Sequence, residues 1–434
     1  MEMTLVGHAS VLVEAGPVRL LSDPWYVGDA FNESWSPHPR PVVPDELFER
    51  VTHLWISHEH PDHLSIPTLR SIPEDCRHRI TLLYQRHWSS KVFEWLSSMG
   101  FRHAVELGHG EEHDLGGGVR VRLFQVRHED AALAVHHEDR TLFNLNDGKP
   151  SSGTIRRLRQ EIGPIDVLLS QFSPAGWTGN PGDASRSSAT SAQSLGQLVR
   201  QADGLGPRQV VPFASFVRFS HEENAFMNQA INGMDQVQEA LGALRTTVLA
   251  PGDTWAVREP FRRSASAIEG YVEAVNAIPD LPLRSHDPMP FDAVVSAAEH
   301  QVTELRRSYH GALLRRVGKV TFALTDLDRS LTLDIGAGEV TQGGEFGAPE
   351  RVELSSQAAW YTFQHRWGVP TLLISGRFRL PAGERAFRRY KELGSAWSGG
   401  FRTHGLAGSL ASSRGRQFIT RRWRDMADLA PGRT

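Results

Sequence analysis

The stretch His58-Glu59-His60-Pro61-Asp62-His63 decides the fold, and it follows directly on residues 51–57, an apolar run typical of a buried strand. Three imidazoles and a carboxylate within six positions are what a loop at a strand end needs to hold metal ions. Neutral imidazole nitrogen suits zinc and iron, and carboxylate oxygen can bridge or cap such ions. The spacing sends the first two histidines to one side, and the aspartate and last histidine to another. We therefore predict two metal ions side by side, one for each pair.

A polar surface turn that is rich in histidine by chance is the alternative. The chain has 20 histidines in 434 residues. At that frequency roughly a few chains per thousand would carry the pattern by accident, which is the false-positive rate that a short motif must be weighed against. This low rate favours the metal site over the surface turn.

Length and composition bound the class of protein. A chain of 434 residues exceeds one ordinary core and predicts two domains. Its hydrophobic content of 40% and charged content of 22% are those of a globular protein. Its net charge is -3, with basic and acidic residues interspersed, which gives no reason to expect nucleic acid as a partner. The sequence has no apolar run that could span a membrane and begins with strand-like residues instead of a signal peptide. We expect a cytoplasmic protein without a membrane partner.

The chain has one cysteine, Cys76. A single thiol excludes an internal disulfide and any thiolate-held iron–sulfur cluster on this chain. A lone cysteine can serve as a nucleophile, but the charged, turn-like residues around it predict an incidental thiol. Catalysis is therefore expected to depend on metal ions.

The histidine motif after a strand resembles the signature of the metallo-β-lactamase superfamily. Residues 7–14 and 18–25 look like the opening hairpin of its UlaG-like branch. This resemblance implies an α/β fold, a metallo-β-lactamase αβ/βα sandwich of four layers with a dinuclear site at one edge. It also implies that Asp23, at the end of the second of these strands, lies behind a ligand histidine.

Two further ligands follow from the same resemblance. Residues 119–126 alternate like a half-buried strand and lead to His128, where the superfamily places the third ligand of its first metal. His136 and His137 compete for this role, but they lie inside another strand pattern. Asp147 follows the strand-like residues 140–146, and the resemblance makes it the bridging ligand, although an Asp-Gly pair alone usually indicates a turn.

The last ligand of the second metal departs from the superfamily pattern. Many hydrolases of the superfamily have a histidine directly after a strand like residues 210–212, where this chain has Phe213 and Ala214. His221 is the best substitute. Upstream, the irregular residues 173–182 include Trp177, an aromatic ring that we expect to be exposed and to stack on a substrate, unless the segment is only a surface loop.

The branch of the superfamily is indicated by residues 142–147, residues 207–217 with His221, and residues 250–254. They are similar to the catalytic domain of cytidine-monophospho-N-acetylneuraminate hydroxylase, over roughly the first 255 residues. The resemblance implies a di-iron oxygenase acting on a small polar or nucleotide-linked metabolite. A Rieske centre needs two cysteines, so the electrons would come from a separate ferredoxin or reductase. The alternative is a dizinc hydrolase that activates water to attack an ester, lactone or phosphodiester.

The remaining chain predicts a second domain. We assign residues 1–260 to the catalytic domain, 261–290 to a linker, 291–400 to a smaller C-terminal α+β domain and 401–434 to a basic tail. The α+β part resembles a sterol-carrier-like module, a family that holds apolar ligands. As an appendage it is expected to cover the active site or to form a homodimer contact. A metal-stabilised lipid-binding protein is a third hypothesis, and the full ligand set argues against it.

Overall fold

Two β-sheets and the helices that cover them make up the first part of the chain. The structure is a computed structural model that describes residues 1–87, 89–126, 130–242, 245–260, 264–343, 351–382, 385–400 and 402–403. The strands of this part are β1 (Glu2–Leu5), β2 (Val11–Ala15), β3 (Val18–Ser22), β4 (Trp35–Pro37), β5 (His53–Ile56), β6 (Thr81–Gln85), β7 (His103–Leu107), β8 (Glu112–Gly116), β9 (Val119–Gln125), β10 (Ala131–His137), β11 (Arg140–Asn146), β12 (Val167–Gln171), β13 (Gln209–Phe213), β14 (Val217–Phe219) and β15 (Thr254–Ala256). A seven-stranded sheet has the order β15-β1-β2-β3-β5-β6-β7, and a six-stranded sheet has the order β13-β12-β11-β10-β9-β8.

The helices of this part pack against the two sheets. They are α1 (Leu47–Arg50), α2 (Ile66–Ser71), α3 (Glu74–Arg77), α4 (Lys91–Ser97), α5 (Ser152–Ile162), α6 (Ala184–Leu205) and α7 (Met234–Leu241), with a 3-10 helix at Ala225–Ala230. Helices α1 to α4 pack on the seven-stranded sheet, and α5 and α6 pack on the six-stranded sheet. The four-layered αβ/βα sandwich predicted from the sequence is confirmed.

The central strand β9 shows how the sequence pattern produces these layers. Val121 and Leu123 enter the core between the two sheets, whereas Phe124 enters the core under helices α5 and α6. Successive side chains of a strand point to opposite faces, so a strand covered on both sides is apolar on both. Helix α5 matches it with Ile155 and Leu158 on one face, since residues three apart lie on the same side of a helix.

Strand direction brings the functional loops to one edge. Strands β1 and β3 run the same way because each is antiparallel to β2, and β3, β5, β6 and β7 are mutually parallel. Strand β11 is parallel to β12 and β13. The residues that follow β1, β3, β5 and β11 therefore meet where the carboxyl ends of the two sheets face each other.

The C-terminal part has a core of its own. Its elements are α9 (Phe291–Ser308), α10 (Gly311–Val317), β16 (Lys319–Leu324), β17 (Arg329–Asp334), β18 (Glu339–Gln342), β19 (Arg351–Leu354), α11 (Ser356–Gln364), α12 (Gly368–Ser375) and α13 (Arg385–Ser398). The four strands form one sheet in the order β18-β17-β16-β19, covered by helices. An additional C-terminal region of helices and strands, predicted from the sequence as a smaller α+β domain, is therefore present.

The segment predicted as a linker does more than connect the two parts. It contains helix α8 (Ser264–Ala277) and a 3-10 helix at Ile278–Asp280. Ala267 and Tyr271 of α8 are buried in the core of the first part. Of the basic tail, the structure describes residues 402 and 403. Within the described ranges, every helix is too short or too polar to cross a membrane.

The two parts of the chain share a polar interface. The Asn180 side chain donates to Leu380 O at 3.0 Å and accepts from Leu380 N at 2.8 Å. Asn224, which is buried, donates to the carbonyl oxygen of Ser375 at 2.7 Å. Because these side chains bond to backbone atoms of the C-terminal part, its position on the first part is specified by geometry as well as by apolar contact.

Candidate metal centre

Five side chains with metal-binding atoms gather at the edge where the sheets meet. They form two groups whose donor atoms lie within 4.8 Å of one another, one made of His8, Asp62 and His63, the other of His58, His63 and Asp147. All are buried except Asp147, which is half-buried. His63 belongs to both groups. These buried histidine and aspartate groups are consistent with a dinuclear metal site.

Carboxylate oxygens lie between the imidazoles. Asp62 Oδ2 is 3.2 Å from His8 Nε2 and 3.5 Å from His63 Nε2. Asp147 Oδ2 is 3.8 Å from His58 Nε2 and 3.7 Å from His63 Nε2. Each carboxylate thus faces two ring nitrogens, and the two half-sites are joined through the His63 ring.

A buried carboxylate fixes the ring of His63 from behind. Asp23, fully buried at the end of β3, has its Oδ2 2.9 Å from His63 Nδ1. The same side chain accepts hydrogen bonds from Ser57 N at 2.8 Å and from Asn146 Nδ2 at 2.5 Å. A carboxylate behind a ligand histidine holds the ring and directs its other nitrogen at the metal. Because Asn146 belongs to the second sheet, Asp23 also ties the two sheets together.

Ser57 orients the ring of His58. Its Oγ donates to Asp23 Oδ2 at 2.6 Å, so it is an acceptor for the Nδ1 of His58, which lies 3.0 Å away. With its hydrogen on Nδ1, the imidazole presents the lone pair of Nε2 toward Asp147. Gln85, at the end of β6, donates to the Ser57 carbonyl oxygen at 2.9 Å and fixes this loop further.

The charges around the site favour the neutral form of His58 and the protonated form of His63. Burial, followed by the nearby His63, lowers the pKa of His58 to about 3. Burial also acts to lower the pKa of His63, but the carboxylates of Asp62 and Asp147 and the hydrogen bond to Asp23 raise it well above its ordinary value. Burial alone would raise the pKa values of Asp62 and Asp147, and the imidazoles around them hold both below the usual range. The site therefore pairs an imidazolium with carboxylates when no cation is bound.

Unpaired donor atoms show that these residues fit a pair of metal ions. Among the described residues, four of the gathered side chains have buried atoms without a hydrogen bond: His8 Nδ1 and Nε2, Asp62 Oδ1, His63 Nε2 and Asp147 Oδ1. Buried polar atoms are almost always hydrogen-bonded unless something else binds them. Nitrogen and carboxylate oxygen donors suit zinc and iron. The donor set and its burial therefore fit metal ions.

The structure brings together most of the ligands proposed from the sequence. His58, Asp62, His63 and Asp147 are in the two groups, and Asp23 is behind one of them. His60 is half-buried beside them, with its Nδ1 2.8 Å from His58 Nε2, and belongs to neither group. His128 lies outside the described residues.

His221 has other partners and belongs to neither group in the part of the chain that the structure describes. Its Nε2 is 2.9 Å from Nδ1 of His286, with the two rings stacked, and its Nδ1 accepts from Glu223 N at 3.2 Å. The chain turns away after β13, because β14 pairs with β4 and not with the six-stranded sheet. Both ring nitrogens of His221 therefore have partners outside the two metal-binding groups, and not in the ligand role that we expected from the sequence.

Trp177 is also placed differently from the exposed position we expected. Its ring is half-buried, stacked on Phe378 with 5.0 Å between ring centroids, and the Arg186 guanidinium lies 4.3 Å from its centroid. Its backbone N–H donates to Leu373 O at 3.0 Å. The C-terminal part therefore covers the ring that was predicted to meet a substrate.

His8 is the donor that the sequence analysis missed. It lies in the turn after β1, where Gly7-His8-Ala9-Ser10 joins two apolar strands. The available signal was a single histidine between two buried strands at the same edge as the main motif. Spacing cannot indicate that contact, because 54 positions of sequence separate the two residues of the His8 and Asp62 pair.

Comparison with known proteins agrees with this geometry. Residues 12–213 match the family model described as "Beta-lactamase superfamily domain". This range of the chain is thus similar to that family, and His8 lies just before the matched range.

Two curated relatives are similar to part of the chain. A Mycolicibacterium smegmatis protein named for a Rieske 2Fe-2S iron–sulfur centre is 30% identical over 188 residues, which cover 41% of this chain and 35% of that protein. The cytidine monophosphate-N-acetylneuraminic acid hydroxylase of Danio rerio is 25% identical over 246 residues, 52% of this chain and 40% of that protein. The similarity thus spans less than half the length of either relative.

Solved structures resemble the fold. A mutant of the CmlA beta-hydroxylase has a TM-score of 0.43 and 20% identity, and covers 59% of this chain and 54% of that one. An isothiocyanate hydrolase from Delia radicum gut bacteria has a TM-score of 0.42 and 16% identity, and covers 59% and 98%.

Proposed function

We propose that this metallo-β-lactamase-fold chain is a non-haem di-iron oxygenase that hydroxylates a small polar or nucleotide-linked metabolite. The observation that carries the proposal is the similarity, over about half of the chain, to a cytidine monophosphate-N-acetylneuraminic acid hydroxylase. The buried histidine and aspartate groups supply the donors that such an enzyme requires. Both the reaction and the substrate class are inferred from these relatives.

The residues of the chain have distinct tasks in this proposal. His8, His58 and His63 present ring nitrogens, Asp62 and Asp147 present carboxylate oxygens, and His60 and His128 are the further ligands expected from the sequence motif. Bound iron would supply the redox chemistry of oxygen activation, whereas bound zinc would supply a Lewis acid and an activated water.

The two carboxylates differ in access. The side chain of Asp147 is 18% exposed, against 6% for Asp62. A substrate therefore approaches on the Asp147 side. The Nε2 atom of His63 faces both carboxylates, at 3.5 Å from Asp62 Oδ2 and 3.7 Å from Asp147 Oδ2.

Electrons would come from a second protein. A Rieske centre uses two cysteines and two histidines, and this chain has one cysteine. Since the bacterial relative is named for a Rieske centre, an iron–sulfur partner of the ferredoxin type is the donor we propose.

A dizinc hydrolase acting on an ester, lactone or phosphodiester is the second candidate. The donor set favours it as well, because histidine nitrogen and carboxylate oxygen accept zinc as well as iron, and hydrolysis needs no electron donor. The two candidates share every ligand and differ in the metal and in the need for reduction.

The test is to purify the protein from iron-supplied cells and measure metal content, optical spectrum and oxygen uptake after reduction. About two irons per chain, a charge-transfer band and oxygen uptake are expected for the oxygenase. The Asp147→Asn variant, which keeps the shape of the side chain, should lose uptake. Colourless protein containing zinc alone, with no uptake on reduction, would overturn the oxygenase and leave the hydrolase.

A further inference from the structure

Three consecutive residues beside the metal centre have left-handed backbone conformations. Phe31, Asn32 and Glu33 have φ angles of 54°, 58° and 55°, and none is a glycine. Ser34 N donates to Ala30 O at 3.0 Å, which closes the turn. Residues other than glycine enter this region at a cost in free energy, and a run of three persists only where the surroundings hold it. We call residues 31–33 the left-handed turn.

One end of the turn contacts the centre. The Phe31 side chain is buried, and its ring meets the His60 imidazole edge to face with 5.9 Å between centroids. The His60 ring in turn lies against His58, with 4.6 Å between centroids. Phe31 therefore limits the positions that the half-buried His60 ring can take.

The middle of the turn is held by the C-terminal part. Asn32 and Gln357 of α11 exchange two amide hydrogen bonds, of 3.0 Å and 3.2 Å. Arg377 donates from Nη1 to the Asn32 carbonyl oxygen at 3.2 Å, and from Nε to Glu223 at 2.5 Å. Arg377 is 2% exposed, so its charge is buried and fixed by this pair. The Asn32 side-chain amide is thus held from 325 positions away in the sequence, whereas its carbonyl oxygen also accepts a local hydrogen bond from Ser34 Oγ at 3.1 Å.

We propose that the C-terminal part sets the geometry of the metal centre through this turn, with Gln357 and Arg377 as positioning residues. They hold Asn32 in its left-handed conformation, the turn holds Phe31 against His60, and Phe31 fixes the His60 ring. The inference rests on the proposed function in that it takes His60 to belong to the metal centre. In this proposal the C-terminal part positions a side chain of the metal centre, and it does not need to bind a ligand itself.

The direct test observes His60 by NMR in full-length, metal-depleted protein labelled at histidine. The His60 ring signals, assigned with His60→Gln, carry the ring-current shift of Phe31, which Phe31→Leu removes. Gln357→Ala should move these signals in the same direction as Phe31→Leu. The matched control is Asn180→Ala, which also removes two hydrogen bonds to the C-terminal part but lies away from the turn. It should leave the His60 signals in place.

A second pair of variants separates lost contacts from backbone strain. Asn32→Ala and Asn32→Gly both lose the amide bonds, but glycine adopts positive φ freely. The alanine variant should therefore displace the His60 signals further than the glycine variant. The reverse order, or His60 signals unmoved in Gln357→Ala, would overturn the proposal.

Cobalt loading extends the test to the centre. The visible spectrum of bound Co²⁺ depends on ligand geometry, and it should change in Gln357→Ala but not in Asn180→Ala. Identical spectra would overturn the proposal. Because neither measurement needs iron, reduction or turnover, a failure here is distinct from a failure of the proposed oxygenase reaction.

Discussion

His8 and Asp62 place their Nε2 and Oδ2 atoms 3.2 Å apart, which joins the first turn of the chain to the loop that follows β5. Neither ring nitrogen of His8 has a hydrogen bond to another described residue, although the side chain is 3% exposed. A buried imidazole whose ring nitrogens make no hydrogen bond, and which faces a carboxylate, is suited to bind a cation through one of them. This contact gives the group of His8, Asp62 and His63 a histidine, whereas the chain has none directly after β13, where many hydrolases of the superfamily have one.

Replacing His8 should therefore remove one metal ion. We expect His8→Ala to reduce the metal content from about two ions to about one per chain, because a half-site with two protein ligands binds zinc or iron weakly. Metal analysis after dialysis measures the number of ions bound per chain. His103→Ala, an exposed histidine on β7, is the control and should keep both ions. Full metal content in His8→Ala would exclude it as a ligand.

Asp23→Asn should weaken metal binding without changing the ligands. The amide keeps the shape but cannot accept the imidazole proton as strongly, and loss of such a partner costs about 10–100-fold in affinity. Competition with a chromophoric chelator measures the change. Asp203→Asn, which removes a carboxylate on helix α6 that pairs with Arg245, is the matched control. Equal affinities in the two variants would contradict the role of Asp23.

Metal binding should release a proton from His63. Its pKa is raised well above the ordinary value, so the ring is protonated at neutral pH, whereas a metal ligand must be neutral. Affinity should therefore fall as the pH is lowered, by up to about tenfold per pH unit. Calorimetry in two buffers of different ionisation enthalpy should report about one proton released from this ring. A binding heat that is the same in both buffers would disprove it.

His221→Ala should keep the metal content of the wild type. The ring bonds to His286 and to the Glu223 backbone, and neither is in the metal groups. We expect a lower melting temperature, since buried hydrogen bonds are lost at the joint with the C-terminal part. If metal analysis shows the loss of one equivalent instead, His221 is a ligand after all.

His53, at the start of β5, should make stability depend on pH. Burial, and then the nearby His113, lower its pKa to about 4. An unfolded histidine titrates near 6.5, so acid protonates the unfolded chain first, and the stability contributed by the neutral ring is lost as the pH falls from about 6.5 toward 4. Relative to His53→Gln, the wild type should lose roughly 1–2 kcal/mol over this range. Urea unfolding at several pH values tests it, and parallel curves would rule it out.

Local pattern was sufficient to predict several elements of the fold. The apolar run before His58 became β5, and residues 119–126 became β9 within one residue at its end. Such segments are predictable because the alternation of buried and exposed positions is a property of the segment itself. The donors His58, Asp62 and His63, which follow β5, were found from the same local pattern.

Long-range contacts account for what the sequence did not reveal. His8 meets Asp62 because β1 and β5 lie in the same sheet, His221 turns away because β14 pairs with β4, and Trp177 is covered by Phe378 of a separate core. Periodicity reports that a face is buried but not which distant segment buries it. These three residues were placed by partners that lie far from them in the chain.

The imidazole of His63, which belongs to both metal-binding groups, limits how the centre can be loaded with metal ions. The Nε2 of His63 faces Asp62 and Asp147 at nearly equal distances, yet one lone pair can bond to a single ion. Of two bound cations, only one can therefore have the His63 ring as a ligand. The half-site that is filled first determines which ligands remain for the second ion. Protein that is supplied with one equivalent of metal should be a mixture of two interconverting species, each with the ion in a different half-site, and spectroscopy should distinguish them. Samples with one ion per chain would therefore not represent the protein with both ions bound.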